Sequence, residues 1–143
     1  MPLTLKEEIE TDKVFGLNVH LIRYYLDWNY NLGYFYHYTS KYFARLILND
    51  LILKAGEARI PHFGIGVFMT KLGPKETTDC LLQNNYRGNS KYKERLECAF
   101  AIKSNQFVRF VPISDKMFPS RDLWKSRNDI DLTKCTFFLI IRE

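Results

Sequence analysis

The spacing of hydrophobic and polar residues changes several times along this chain, and each change predicts an element. Apolar residues at 14, 17, 21, 24, 25 and 28 recur at helical spacing, which predicts a helix over 14–28. YFYHYT (34–39) is aromatic and alternating, so it predicts a strand that carries His37. The amphipathic segment at about 40–50 predicts a helix that begins at Thr39 or Ser40.

The second half of the chain is richer in strand patterns. GIGVFMT predicts a strand at 65–70, and Pro74 closes it. KETTDCLLQNNY (75–86) predicts a short helix with Thr77 or Thr78 as its cap, followed by a loop in RGNSKYKE. Further strands are predicted at 96–103, 106–113, 120–126 and 134–143, the last of them central and buried. With helices early and most strands late, the expected class is α+β.

The length of the chain favours one globular unit, because 143 residues suffice for a single core. We expect residues 1–33 to form an arm and a helix packed on that core, and residues 34–143 to form the domain itself. No run of about 18 apolar residues is present. The first residues are charged where a signal peptide would be apolar. The sequence therefore predicts a cytoplasmic protein without a membrane partner and leaves the oligomeric state open.

Charge and metal-binding residue types narrow the function classes. The net charge of +5 favours anionic partners. The loose basic cluster at 87–95 has no accompanying nucleic-acid motif, so a solvated loop is the favoured interpretation. The three cysteines lack CxxC spacing and are expected to be reduced and buried. His20, His37 and His62 are scattered, so no metal is expected.

His37 and Phe68 are the first candidates for a binding site. A ring nitrogen on one strand and an aromatic face on the next are suited to holding a flat heteroaromatic ring. Taken alone, His37 is a hydrogen-bonded strand histidine and Phe68 is a core residue. Gly64 and Gly66 precede their strand, whereas a dinucleotide-binding fingerprint follows one, so a Rossmann unit is not expected.

Several segments, in order, resemble one family. They are YHYTS (36–40), GIGVFMTKLGP (64–74), TDCLLQNNYRGNSKYKERLECAFAI (78–102) and RDLW (121–124) with DIDL (129–132). Together they resemble the toxin-type ADP-ribosyltransferases with a His-Tyr-Asp signature, which are related to diphtheria toxin and the poly(ADP-ribose) polymerases. The resemblance implies an ADP-ribosyltransferase-like split β-sheet core with short helices on its flanks.

The resemblance also implies NAD as the substrate, with no metal. It assigns the adenosine-side ribose to His37 and the nicotinamide carboxamide to the backbone near Tyr38 and Thr39. It places the nicotinamide ring on Phe68, with Gly66 as a further NAD contact on that strand. Tyrosine is commoner than phenylalanine at this place, so Phe68 lacks a hydroxyl whose hydrogen bond is worth about 0.5–1.5 kcal/mol.

The third signature residue of the family is an acid at the start of a late strand. The resemblance assigns it to Asp122, whose carboxylate would stabilise the positive charge that develops as the glycosidic bond breaks. Glu97 is the rival acid, and Asp129 and Asp131 are weaker candidates. The plain alternative is a surface Asp122 that pairs with a neighbouring basic residue.

The resemblance therefore predicts a mono-ADP-ribosyltransferase in which His37, Phe68 and Asp122 are the catalytic residues. The acceptor is an unidentified protein or nucleic acid, or water, which would make the protein an NAD glycohydrolase. The alternatives are a catalytically inactive NAD- or nucleotide-binding module and a basic RNA- or protein-binding domain. A toxin-like effector of this kind would act in the cytoplasm, of a host cell if it is delivered there.

Overall fold

The computed structural model of the protein describes residues 20–22, 33–57 and 63–142. Two α-helices occur among these residues, α1 (Lys41–Asp50) and α2 (Thr78–Tyr86), together with 3-10 helices at Ser90–Leu96 and Leu132–Lys134. The described strands are β1 (His20–Ile22), β2 (Tyr34–Thr39), β3 (Ile52–Leu53), β4 (Gly56–Glu57), β5 (Ile65–Met69), β6 (Cys98–Lys103), β7 (Val111–Ile113), β8 (Leu123–Ser126), β9 (Ile130–Asp131) and β10 (Phe137–Ile141). This content confirms the predicted α+β class.

Two four-stranded sheets form the body of the fold. The first has the order β1-β10-β6-β2, with β1 parallel to β10 and the other pairs antiparallel. The second has the order β4-β5-β8-β7 and is antiparallel throughout. Strands β6 and β10 lie in the interior of the first sheet, and their long apolar runs are buried on both faces. The predicted buried strand at the end of the chain is therefore confirmed.

Within the described ranges, the two sheets are joined by one bridge between β2 and β5. The Tyr36 N–H donates to the Thr70 carbonyl at 2.7 Å, and the Thr70 N–H donates to the Tyr36 carbonyl at 3.0 Å. Past this bridge, residues 37–39 pair only with β6, and residues 65–69 pair with β4 and β8. A gap therefore opens between the two strands that carry His37 and Phe68.

Both predicted helices form, and local capping explains where they begin. Ser40 is the N-cap of α1, and its hydroxyl accepts from the Phe43 N–H at 3.2 Å. Thr77 caps α2 in the same way, accepting from the Cys80 N–H at 3.1 Å. Helix α1 buries Ala44 and Leu48 in the larger of the two hydrophobic clusters that form the core.

Several sequence-based expectations were wrong in detail. The helix over 14–28 fails at His20–Ile22, which is a strand paired with β10, and its remainder lies outside the described residues, as does most of the predicted 1–33 unit. The predicted 106–113 strand is reduced to Val111–Ile113, because the Asn105 side chain accepts from the Phe107 and Val108 N–H groups and forms a turn there. The predicted loop at 87–94 contains most of a 3-10 helix, which Asn89 caps.

The expectation that all three cysteines are buried is correct only in part. Cys98 is buried as expected and Cys135 is half-buried, but Cys80 is exposed, because it lies on the solvent side of α2. All three are free thiols.

None of the helices in the described ranges combines the length and the apolar character that crossing a bilayer requires.

Candidate functional site

A cleft of about 820 Å³ lies at the gap between β2 and β5. One wall is apolar and includes Phe43 and Leu46 of α1 together with Phe63. The other wall is built by the end of α2 and the following 3-10 helix, and it includes Tyr92 and Arg95. Because the cleft coincides with the break between the sheets, the backbone edges of both strands face it.

His37 lies at the point where the two strands separate. Its Nδ1 is 2.9 Å from the Phe68 carbonyl oxygen. In an antiparallel ladder, backbone groups point alternately to the two sides, so this carbonyl is directed toward β2, as the Thr70 carbonyl is. The imidazole therefore occupies the place that the Tyr38 N–H would take if the ladder continued.

This contact fixes the chemistry of the ring. A carbonyl only accepts hydrogen bonds, so Nδ1 of His37 carries the proton and donates it. Burial lowers the pKa of His37 below 6.5, and the hydrogen bond to Phe68 offsets that effect only in part. The ring is neutral at pH 7, and its Nε2 is an acceptor suited to a hydroxyl group.

The Tyr38 backbone and the residue Thr39 lie at the same site. The Tyr36 backbone groups point to β5, so alternation directs the Tyr38 N–H and carbonyl to the same side, where Tyr38 lines the cleft. The Tyr38 side chain lies elsewhere, with its hydroxyl donating to the Leu72 carbonyl at 2.7 Å. Thr39 is buried and also lines the cleft.

Phe68 and Gly66 differ in their relation to the cleft. Phe68 is partly exposed between the buried residues Val67 and Met69, so its ring lies on the face of β5 away from the main core, and it lines the cleft. Gly66 is not among the described lining residues. A Cβ there would lie 2.6 Å from the Ser126 carbonyl oxygen and 3.0 Å from Cδ of Lys125, so close packing of β8 explains the glycine.

Asp122 lies beside the cleft and is not one of its described lining residues. One carboxylate oxygen, Oδ1, accepts from the Lys71 N–H at 2.8 Å and from the Thr70 hydroxyl at 3.2 Å. Its backbone is held by Asn84, whose side chain accepts from the Asp122 N–H at 2.6 Å and donates to the Asp122 carbonyl at 2.9 Å. In this geometry the Asp122 carboxylate holds the Thr70 hydroxyl in place. The catalytic role of Asp122 stays a prediction.

The rival acids are also engaged in local structure. The Glu97 carboxylate accepts from the Lys41 N–H at 3.2 Å, at the start of α1, and the Asp129 carboxylate accepts from the Ala55 N–H at 2.7 Å. Asp131 caps the second 3-10 helix, and hydrogen bonds from Thr133 lower the pKa of its carboxyl. None of the three acids lines the cleft. The carboxylates found in the described lining are those of Asp50 and Glu57, both on exposed residues.

A buried ionic cluster, which the sequence did not predict, lies next to the cleft wall that α2 and the 3-10 helix Ser90–Leu96 form. Asp115 is buried and accepts from Arg121 at 2.6 Å and from Arg87 at 2.9 and 3.0 Å. Burial raises the pKa of Asp115, but hydrogen bonds from Arg121 and Arg87 and from two backbone N–H groups outweigh burial and hold it at about 2. Arg121 also donates to the carbonyls of Asn84 and Asn85. Arg87 and Asp115 are 28 positions apart in the sequence, so no local pattern indicates this cluster.

Metal chemistry has no support in the described part of the chain, where no group of histidine, cysteine and carboxylate side chains is placed to hold an ion. His62 lies outside the described residues, and His20 is described only as part of β1.

Comparison of the chain with protein-family models, with curated proteins and with solved structures gave no match. The geometry of the cleft and the motifs that resemble the ADP-ribosyltransferases are therefore the features from which a function can be inferred.

Proposed function

We propose that the cleft binds NAD and that the protein is an ADP-ribosyltransferase, with hydrolysis of NAD when water is the acceptor. The observation that carries the proposal is the contact between His37 Nδ1 and the Phe68 carbonyl at the break between the two sheets. It brings the histidine ring of one motif to the backbone of the aromatic residue of the other, 31 positions away. Two sheets joined at a single described bridge also agree with a split-sheet core of the kind that the resemblance implies.

The parts of NAD match the groups around the gap. The nicotinamide ring stacks on the face of Phe68, because an offset contact needs only an aromatic surface. Its carboxamide, with a donor and an acceptor, faces the backbone N–H and carbonyl of Tyr38. The neutral His37 accepts from a ribose hydroxyl through Nε2. The cleft volume of about 820 Å³ is within the range of about 300–1,000 Å³ that is typical of small-molecule sites.

The reaction is displacement at the anomeric carbon of the nicotinamide-side ribose. The bond to nicotinamide breaks, its electron pair returns to the ring nitrogen, and the acceptor oxygen or nitrogen bonds to the same carbon. The charge on the sugar is greatest in the transition state, so a fixed dipole or carboxylate near it lowers the barrier. In this scheme Asp122 is a positioning residue, which holds the Thr70 hydroxyl at the edge of the cleft.

One observation favours a second candidate, a NAD-binding module without turnover. The acid that the resemblance assigns to the reaction has one oxygen committed to Thr70 and Lys71 and does not line the cleft. Both candidates require NAD in the same place. They differ only in the release of free nicotinamide.

The test uses two phenylalanine variants. Phe68→Ala removes the proposed stacking surface, whereas Phe107→Ala removes a ring that is 64% exposed and does not line the cleft. We expect calorimetry to show NAD binding by the unmodified protein, weaker binding by about 0.5–1.5 kcal/mol or more in Phe68→Ala, and unchanged binding in Phe107→Ala.

Equal affinity in the two variants would remove the stacking role, and absence of NAD binding by the unmodified protein would contradict the proposal. Chromatography of the reaction with NAD then separates the candidates. Free nicotinamide supports the transferase or glycohydrolase, and bound but intact NAD supports the inactive module.

A further inference from the structure

The segment 85–96 forms the wall of the proposed NAD site that lies at the end of α2 and the following 3-10 helix. It holds four basic residues, Arg87, Lys91, Lys93 and Arg95, and one acid, Glu94. The sequence predicted a solvated loop here, and the structure places this segment beside the cleft. Asn89, Tyr92 and Arg95 line the cleft, and the two lysines are exposed beside them. We call the four basic residues together with Tyr86 and Tyr92 the basic rim.

Aromatic rings and cations alternate in the basic rim. The rings of Tyr86 and Tyr92 are stacked, with centroids 4.8 Å apart and an angle of 30° between their planes. Nζ of Lys91 lies 5.4 Å from the centroid of Tyr92, and Cζ of Arg95 lies 5.7 Å from it. Aromatic faces combined with positive groups are the means by which proteins hold single-stranded nucleic acid, because bases stack while phosphates pair with the cations.

Carboxylates of the described residues neutralise only part of the positive charge of the basic rim. Arg87 pairs with the buried Asp115, whose second partner is Arg121, so this cluster retains one positive charge. Lys91, Lys93 and Arg95 form no ion pair with any carboxylate in the described residues. An acceptor that approaches the cleft along this wall thus meets a cationic surface, which attracts a phosphate backbone.

We propose that the acceptor of ADP-ribose is a single-stranded nucleic acid that docks on the basic rim. The inference rests on the proposed function, since the rim adjoins the cleft in which NAD is placed. A nitrogen or oxygen of the docked strand attacks the anomeric carbon of the nicotinamide-side ribose. The carbon–nitrogen bond to nicotinamide breaks with its electron pair on the ring nitrogen, and the proton of the acceptor passes to solvent.

The binding test compares two double variants of equal charge. Lys91→Ala/Arg95→Ala removes two cations from the basic rim. Lys103→Ala/Lys134→Ala removes two cations that also lie over aromatic rings, those of Tyr34 and Phe107, but that do not line the cleft. Fluorescent RNA and DNA strands of one sequence, about 16 nucleotides long, are titrated by anisotropy at several salt concentrations.

We expect the unmodified protein to bind at least one of the strands, with affinity that falls as salt rises. The rim variant should bind about tenfold more weakly at low salt, and its slope of log affinity against log salt should be smaller by about 1.4, for two lost contacts with a single strand. The control variant should bind within about twofold of the unmodified protein. Equal weakening in both variants, or no binding of either strand, overturns the proposal.

A labelling test separates this inference from the proposed function. The unmodified protein is first titrated with NAD and then incubated with NAD labelled in its ADP-ribose part, together with the RNA strand, the DNA strand or a cell lysate. Label on a strand supports the inference, and comparison of the two strands shows which sugar is accepted. NAD binding with label only on proteins overturns the acceptor while leaving the proposed function intact. Strand binding without NAD binding overturns the proposed function and the acceptor role with it.

Discussion

Asp122 offers a comparison in which a structural role and a catalytic role give opposite results. Its Oδ1 accepts from the Lys71 N–H at 2.8 Å and from the Thr70 hydroxyl at 3.2 Å. Asparagine keeps an acceptor oxygen in this place, whereas alanine keeps none. If Asp122 acts by holding Thr70, then Asp122→Asn should resemble the unmodified protein and Asp122→Ala should not.

The magnitude follows from what each substitution leaves without a partner. Lys71 is exposed, so water replaces the lost contact to its N–H, but Thr70 is only 2% exposed and its hydroxyl would lose its acceptor. Hydrogen bonds to a charged group contribute about 1.5–3 kcal/mol each, and neutral ones contribute about 0.5–1.5 kcal/mol. We expect Asp122→Ala to lower the free energy of unfolding by about 2 kcal/mol and Asp122→Asn to lower it by less than about 1 kcal/mol.

Thermal and urea unfolding measure these differences, and 2 kcal/mol corresponds to a fall in Tm of about 6–8 °C for a chain of this size. If the asparagine variant loses as much stability as the alanine variant, the contacts of Asp122 Oδ1 with Thr70 and Lys71 are not what stabilises this part of the fold. Nicotinamide release supplies the second readout, with Glu97→Gln as a control acid outside the cleft. A folded Asp122→Asn variant that binds NAD normally but releases nicotinamide about a hundredfold more slowly would refute the positioning role and make Asp122 catalytic.

Three further predictions concern neighbouring features. Gly66→Ala should destabilise the fold by about 1–3 kcal/mol, because the added methyl group would lie too close to the Ser126 carbonyl. Gly56→Ala is the control and should be near neutral, because a Cβ built at Gly56 has no neighbouring atom within 4 Å. Equal melting temperatures of the two variants would contradict this prediction. The pKa of Asp115 is held at about 2, below its ordinary 3.8, so the stability that its carboxylate contributes is present above about pH 4 and is lost as the pH falls toward 2. Urea unfolding across this pH range should show that the free energy of unfolding falls in the unmodified protein, and Asp115→Asn should abolish this pH dependence. Phe68→Tyr should leave NAD affinity within a few-fold in calorimetry, because the ring face is kept, and a loss as large as that in Phe68→Ala would exclude stacking as the main contact.

Local signals were enough to predict the elements that carry the site. Alternation in 34–39, a cap at Ser40 and helical spacing through 50 all lie within a few residues of one another, and the structure has β2 and α1 there. Thr77 likewise marks the start of α2. His37 and Phe68 could each be placed on a strand because each occupies a clear strand pattern.

Contacts between distant residues decided the rest. The apolar spacing around His20–Ile22 fits a helix, but pairing with β10, more than a hundred residues later, makes that stretch a strand. The position of Asp122 just before β8 was anticipated, yet its contacts depend on Lys71 and Asn84, which no local pattern indicates. The same holds for the pairing of Arg87 with Asp115.

The most direct test of the NAD site is a calorimetric titration of NAD into the unmodified protein and into His37→Ala. We predict measurable binding that weakens in the variant by about 1–3 kcal/mol, because the acceptor for a ribose hydroxyl is lost. The fold of the variant, checked by thermal unfolding, should be retained. A folded His37→Ala variant that binds NAD as tightly as the unmodified protein would show that NAD does not bind at the gap between β2 and β5.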